Sequence, residues 1–238
     1  MRRILASFTV LFIICLPALP AWCQDVIKIG IIAPLSGPFA TTGSQFRQGI
    51  DAFLAERGKN VGGRDVEIIY RDSGGAQPAF AKQLAEELVV RDKVSMLGGF
   101  YLSPEASSAA SVVTETKTPS LLFVSAAGPI LRQSPYYIRI GATFWHSSFA
   151  AAEFGYSKGA KKGYVLVSDY TGGYEAQEGF EKKFTELGGK IVGADRAPLN
   201  TVDYASYAQR IADAKPDIVS MFLPAGAPAI NFLKAMAD

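Results

Sequence analysis

The sequence predicts an α/β fold of two doubly wound lobes, each built on a parallel sheet. Short runs rich in Val, Ile and Leu alternate with longer stretches whose apolar residues recur at helical spacing, which is the rhythm of βαβ units. The rhythm restarts after Gly141-Ala142-Thr143. A crossover there divides the chain into lobes over 24–141 and 142–238, behind a leader over 1–23. No low-complexity or Pro/Gly-rich linker interrupts the pattern, and the two halves show no convincing sequence repeat.

Each element follows from local pattern. Val26 to Ile32 is almost continuously apolar, as a strand buried on both faces requires. Gly43 to Arg57 carries Phe46, Ile50, Phe53 and Leu54 on one helical face. Val66 to Tyr70 is the next strand, Pro78 to Arg91 a helix, Val94 to Leu97 a strand and Pro104 to Thr116 a helix. Strands at Ser120 to Val124 and Tyr136 to Ile140 complete the first lobe. The second reads as helix Phe144 to Lys158, strand Gly163 to Val167, helix Tyr174 to Leu187, strand Lys190 to Ala194, helix Tyr204 to Ala214, strand Asp217 to Phe222 and helix Pro228 to Ala237. No strand follows that helix. The second lobe is therefore expected to be truncated, and both sheets to present exposed edges and uncovered apolar faces.

The first residues read as an export signal. Arg2 and Arg3 precede an apolar run from Ile4 to Leu19, and Pro17, Ala18, Pro20 and Ala21 form a helix-breaking, small-residue end. Cleavage after Ala21 or after Cys23 both fit; an uncleaved membrane anchor is the alternative. The chain has 24 basic and 22 acidic residues. Arg2 and Arg3 account for the whole excess, so nothing suggests a nucleic-acid surface. Cys15 and Cys23 are the only cysteines and His146 the only histidine, which excludes an internal disulfide after cleavage and argues against a zinc site. No metal and no cofactor is expected.

Ligands of open parallel sheets bind beyond the carboxyl ends of the strands. The loops there are Pro34 to Gly43, Asp72 to Gly75, Gly98 to Pro104, Ser125 to Pro129 and, in the second lobe, Ser168 to Tyr174. Small residues, hydroxyls and backbone N–H groups suit a carboxylate. Ser103 before Pro104 reads equally as a helix N-cap and as a ligand contact. Phe39, Phe100, Tyr101, Tyr170 and Tyr174 lie in or beside these loops, either to sandwich an apolar or aromatic ligand or to pack between the lobes. No nucleophile elbow, phosphate loop or dinucleotide motif is present: Ser36 lacks the G-x-S-x-G context, and neither Gly62-Gly63 nor Gly74-Gly75 has the required spacing. His146 has no Ser or Cys partner in sight, so no catalytic role is assigned.

The run from Ile29 through Pro34-Leu35-Ser36-Gly37-Pro38 to Gly43, then Asp72, Gly98-Gly99, Ser125-Ala126-Ala127, Ser168-Asp169-Tyr170 and Pro198-Leu199-Asn200-Thr201 resembles, in order and spacing, the branched-chain amino-acid (leucine/isoleucine/valine) binding protein family. These are type I periplasmic receptors of ATP-driven (ABC) importers. The resemblance implies a two-lobed extracytoplasmic receptor, monomeric when complete, that closes on a small solute and delivers it to a membrane permease. It implies a carboxylate grip by Leu102 or Ser103, Ala126 and Gly128. The expected ligand-binding set is Ser36, Phe39, Tyr101, Leu102, Ser103, Ala126, Ala127, Gly128, Tyr170 and Ala225. This sequence departs from the family's amino-acid binders at three points. Gly128 stands where they carry threonine, Pro224-Ala225 where they carry an ammonium-binding aromatic, and Gly74 and Tyr101 in place of a loop disulfide. The family's acidic partner for the ammonium falls beyond Asp238. The departures count against amino-acid specificity and leave carboxylate capture, so aromatic and other organic acids are expected ahead of amino acids. A sensory module of the same fold is the alternative; a periplasmic enzyme comes last.

Overall fold

A computed structural model describes residues 26–237, so the export signal read over 1–23, with Cys15 and Cys23, lies outside the described residues. In chain order the elements are β1 (Ile27–Ala33), α1 (Ala40–Arg57), β2 (Asn60–Val61), β3 (Arg64–Asp72), α2 (Pro78–Glu86), β4 (Met96–Gly99), α3 (Ser103–Thr116), β5 (Ser120–Leu122) and β6 (Tyr137–Arg139), followed by α4 (Phe144–Ser157), β7 (Lys162–Ser168), α5 (Thr171–Glu186), β8 (Lys190–Ala197), α6 (Ala205–Ala214), β9 (Ile218–Phe222) and α7 (Ala227–Ala237).

The first sheet runs β2-β3-β1-β4-β5-β6 and the second β8-β7-β9. All pairs are parallel except β2 with β3. In both sheets the first strand lies inside and its successors flank it, so the topological switch points fall beside β1 and β7, where open sheets bind ligands. β2 was not expected. Gly62 and Gly63, with φ of 62° and 84°, make a two-residue hairpin turn in which both residues need positive φ, and Asn60 Oδ1 accepts the Gly63 N–H at 3.1 Å. Another departure lies at the end of α2, where Glu87–Arg91 forms a π-helical turn.

The second sheet is covered on both faces. Phe180, Phe184, Val165 and Val167 pack under α4 and α5, while Leu166, Tyr204, Ile211 and Phe232 form the core on the α6 and α7 side. The uncovered face expected of this lobe is therefore absent from it. The first lobe does match that expectation on one side. Ile32, Leu97 and Leu122 pack against α2 and α3. On the other side α1 buries only Thr42 and Gly43 and leaves a slot of about 600 Å³ lined by Ile29, Ile31, Ile50, Phe53, Phe123 and Ile140, among others. The chain passes between the lobes from Arg139 to Phe144. Thr143 caps α4 there, its Oγ1 accepting the His146 N–H at 3.2 Å.

Candidate functional site

The loops at the carboxyl ends of the two sheets face each other and enclose a cavity of about 310 Å³. Thr42, Phe46, Tyr101 and Leu102 line it from the first lobe, and Phe144, Tyr170, Phe222 and Ala225 from the second. Five of its twelve lining residues are aromatic. Phe222 meets Phe144 at 4.6 Å between ring centroids and stacks on Tyr170 at 6.4 Å. Across from them Phe39 and Tyr101 lie 5.3 Å apart. Phe39, Tyr101, Leu102 and Tyr170 form one buried cluster spanning both lobes. The Tyr101 hydroxyl donates to the Ala225 carbonyl at 3.1 Å, tying the lobes together. Burial raises the pKa of both the Tyr101 and the Tyr170 hydroxyl, so each stays protonated and able to donate.

The first-lobe loops are held by polar bonds that are themselves buried. Strand β4 ends on Gly99, at φ 101°, where a Cβ would stand 2.2 Å from the Ile32 carbonyl oxygen. The sharp turn that follows puts Phe100 into the first-lobe core, not the cleft, and presents Tyr101 to the cavity. Glu105, buried in the first turn of α3, accepts both the Tyr101 and Leu102 N–H groups on Oε2 at 3.1 Å. Burial pushes its carboxyl up to about 7, against the pull of these amides and of the Ser73 hydroxyl. Ser125 Oγ donates to the Phe100 carbonyl at 2.6 Å, joining the loop after β5 to the loop after β4.

The residues expected to bind ligand thus separate into groups. Tyr101, Leu102, Tyr170 and Ala225 line the cavity, with Phe39 packed behind Tyr101. Ser103 does not cap α3: its hydroxyl accepts the Ala127 N–H at 3.3 Å, and Glu105 takes the amides at the helix start. Ala126 and Ala127 are buried. The Gly128 N–H donates to Glu175 Oε1, from α5, at 2.6 Å. Ser36 is drawn aside by Asp72, which accepts the Leu35 and Ser36 N–H groups at 2.7 and 3.2 Å. Partial burial would raise the Asp72 carboxyl, but hydrogen bonds from the Ser36 hydroxyl and the Gly74, Leu35 and Ser36 amides hold it below the usual range. Tyr174 is turned outward, its hydroxyl bonded to Asp169 at 2.8 Å and its ring under Arg196. His146 Nδ1 meets the Thr143 hydroxyl at 2.5 Å, at the start of α4. Among the described residues no group of His, Cys, Asp or Glu is placed to hold a metal ion, and no helix is long and apolar enough to cross a membrane.

Phe46, Phe144, Phe222 and Glu175 were missed. Phe222 had a readable signal, being the last residue of a predicted strand and so at the ligand-facing end. Glu175, which meets the Gly128 amide without lining the cavity, had none: α5 begins at Thr171, three residues before the predicted start.

Two parallel α/β lobes closing an aromatic cavity between their strand ends define a two-lobed binding protein. From residue 26 to residue 238 the chain matches the periplasmic binding protein family, and it belongs to that family, among the type I relatives of the leucine, isoleucine and valine binders. It is 41% identical over 232 residues to Leu/Ile/Val-binding protein homolog 6 of Brucella melitensis, covering 98% of this chain and 59% of that protein. A solute-binding protein of an ABC transporter from R. palustris, solved in complex with 4-hydroxybenzoate, superposes with a TM-score of 0.87 at 42% identity, over 90% of this chain and 58% of that one. A solute-binding protein from Rhodopseudomonas palustris BisB5, in complex with 3,4-dihydroxybenzoic acid, gives 0.86 at 37% identity, over 90% and 58%. The chain thus spans about three-fifths of the length of these relatives.

Proposed function

We propose that this chain carries the solute-capturing cleft of an extracytoplasmic receptor for an ABC importer, and that its solute is a small aromatic carboxylate. The observation that carries the reading is the aromatic-walled cavity between the lobes. Tyr170, Phe222 and Phe144 on one side and Tyr101 and Phe46 on the other suit a flat apolar body. Among the lining residues, polar groups come from Thr42, Gln45 and the Tyr101 and Tyr170 hydroxyls. The cavity lining carries neither an acidic nor a basic side chain, so a bound carboxylate would rest on hydroxyl and amide donors and not on an ion pair. The benzoate-type acids bound by two of the similar solute-binding proteins agree with this chemistry. Export by the Arg2-Arg3 signal and delivery to a permease complete the reading.

Calorimetry with benzoate, 4-hydroxybenzoate and leucine tests it. The aromatic acids should bind and leucine should not. Tyr170→Ala should weaken acid binding by about 10-fold, as loss of a central aromatic contact does. Tight leucine binding with no response to either benzoate overturns the reading.

A further inference from the structure

The loop after β5 ends on a donor that the opposite lobe already holds. Gly128 belongs to the first lobe and Glu175 to α5 of the second, so their 2.6 Å bond crosses the cleft. The approach is close: a Cβ on residue 128 would stand 3.0 Å from Glu175 Oε1, so the carboxylate would have to give by a few tenths of an ångström. The second carboxylate oxygen, Oε2, is buried and has no hydrogen-bond partner among the described residues. The preceding amide, Ala127 N–H, is taken within its own lobe by Ser103 Oγ. A carboxylate that came to this loop would therefore meet another carboxylate on the same donor, and two like charges at one site repel.

We propose that Glu175 is a specificity-determining residue of the cleft: an internal carboxylate that latches the second lobe onto the Gly128 amide and that a ligand carboxylate must displace. This inference rests on the reading of the cleft as a carboxylate site. Two charged groups face Glu175. Arg139, from β6, attracts it and donates from Nη1 to the Ala127 carbonyl at 3.3 Å. Glu178, three residues further along α5, repels it. When Glu175 leaves Gly128, Arg139 stays beside the loop and its charge favours the incoming acid. A neutral ligand gains nothing from the exchange, so the latch discriminates by charge through a repulsive element as well as an attractive one.

Amide exchange and calorimetry on the full chain test the proposal. Before ligand is added, NMR should find the Gly128 N–H protected, and Glu175→Ala should speed its exchange by about 10-fold or more, as loss of a local hydrogen bond does. In calorimetry Glu175→Gln should bind 4-hydroxybenzoate about 10-fold more tightly than the unsubstituted chain, because the competing charge is gone. Binding of the neutral 4-hydroxybenzamide should not change. Equal Gly128 exchange in the unsubstituted chain and Glu175→Ala overturns the latch. Weaker 4-hydroxybenzoate binding by Glu175→Gln overturns the displacement and makes Glu175 a ligand partner. If neither chain binds 4-hydroxybenzoate while exchange at Gly128 responds as stated, the latch stands and the carboxylate reading of the cleft fails.

Discussion

Single residues in the cleft loops are set by buried polar contacts, helix capping among them. Glu105 is the clearest case. It holds the Tyr101 and Leu102 amides, yet burial lifts its carboxyl from 4.5 to about 7. An acid whose folded-state pKa lies above its unfolded one keeps a proton that the unfolded chain releases. Its contribution is fully present below about pH 4.5 and is lost as pH rises through about 7. The loss is on the order of 1–3 kcal/mol. Urea unfolding of Glu105→Gln should therefore show a shallower fall in stability across that window than the unsubstituted chain. Parallel pH profiles for the two would mean that Glu105 titrates as an ordinary surface carboxylate. Ser103 carries the same lesson. Its position before a proline invites the reading of a cap, but the hydroxyl serves a loop 24 residues away.

At the scale of elements, both lobes use one device where their first strand feeds a helix. A Cβ on Gly43, in the first turn of α1, would lie 2.0 Å from the Pro34 carbonyl oxygen, and one on Gly173, in the first turn of α5, 1.8 Å from that of Ser168. The glycines let each helix start hard against its strand end. This moves residues 171–173 out of the predicted loop and into α5. Gly173→Ala should therefore lower unfolding free energy by about 2–4 kcal/mol, the cost of forcing backbone apart in a packed site. Gly49 lies mid-helix in α1, where an added Cβ would meet nothing within 4 Å. It should behave oppositely, Gly49→Ala stabilising by about 0.5–1 kcal/mol. Chemical denaturation of both variants checks the pair; similar midpoints would refute the contact argument.

For the molecule as a whole, the two sheets differ in how they are sheltered. The second is covered on both faces. The first leaves the slot beside α1, where Phe53 is 60% and Ile140 63% exposed. An exposed apolar groove of this kind favours dye binding and self-association. Phe53→Glu combined with Ile140→Lys should reduce fluorescence of a hydrophobic dye and shift the chain toward monomer in sedimentation, with unfolding free energy changed by only about 0.5 kcal/mol. Unchanged dye binding would place the exposed apolar surface elsewhere.

Much of this was legible in the linear chain. Strand and helix order followed from apolar periodicity, because a buried parallel strand and an amphipathic helix each need their own spacing wherever they occur. The cleft location followed from the strand ends; Tyr101 and Tyr170 were placed in the cavity wall from loop position, and Leu102 and Ala225 from the family resemblance. Tertiary structure alone decided the rest. Phe100 and Tyr101 are adjacent aromatics, and only the turn after Gly99 sends one to the core and the other to the cleft. Tyr174 and Tyr170 share a loop in the sequence, yet the start of α5 turns one outward and buries the other. Gly128 and Glu175 stand 47 residues apart, on different lobes. Local pattern records which face of an element is apolar; it holds no record of which groups two lobes bring together across a cleft, because that depends on how both sheets are packed and joined.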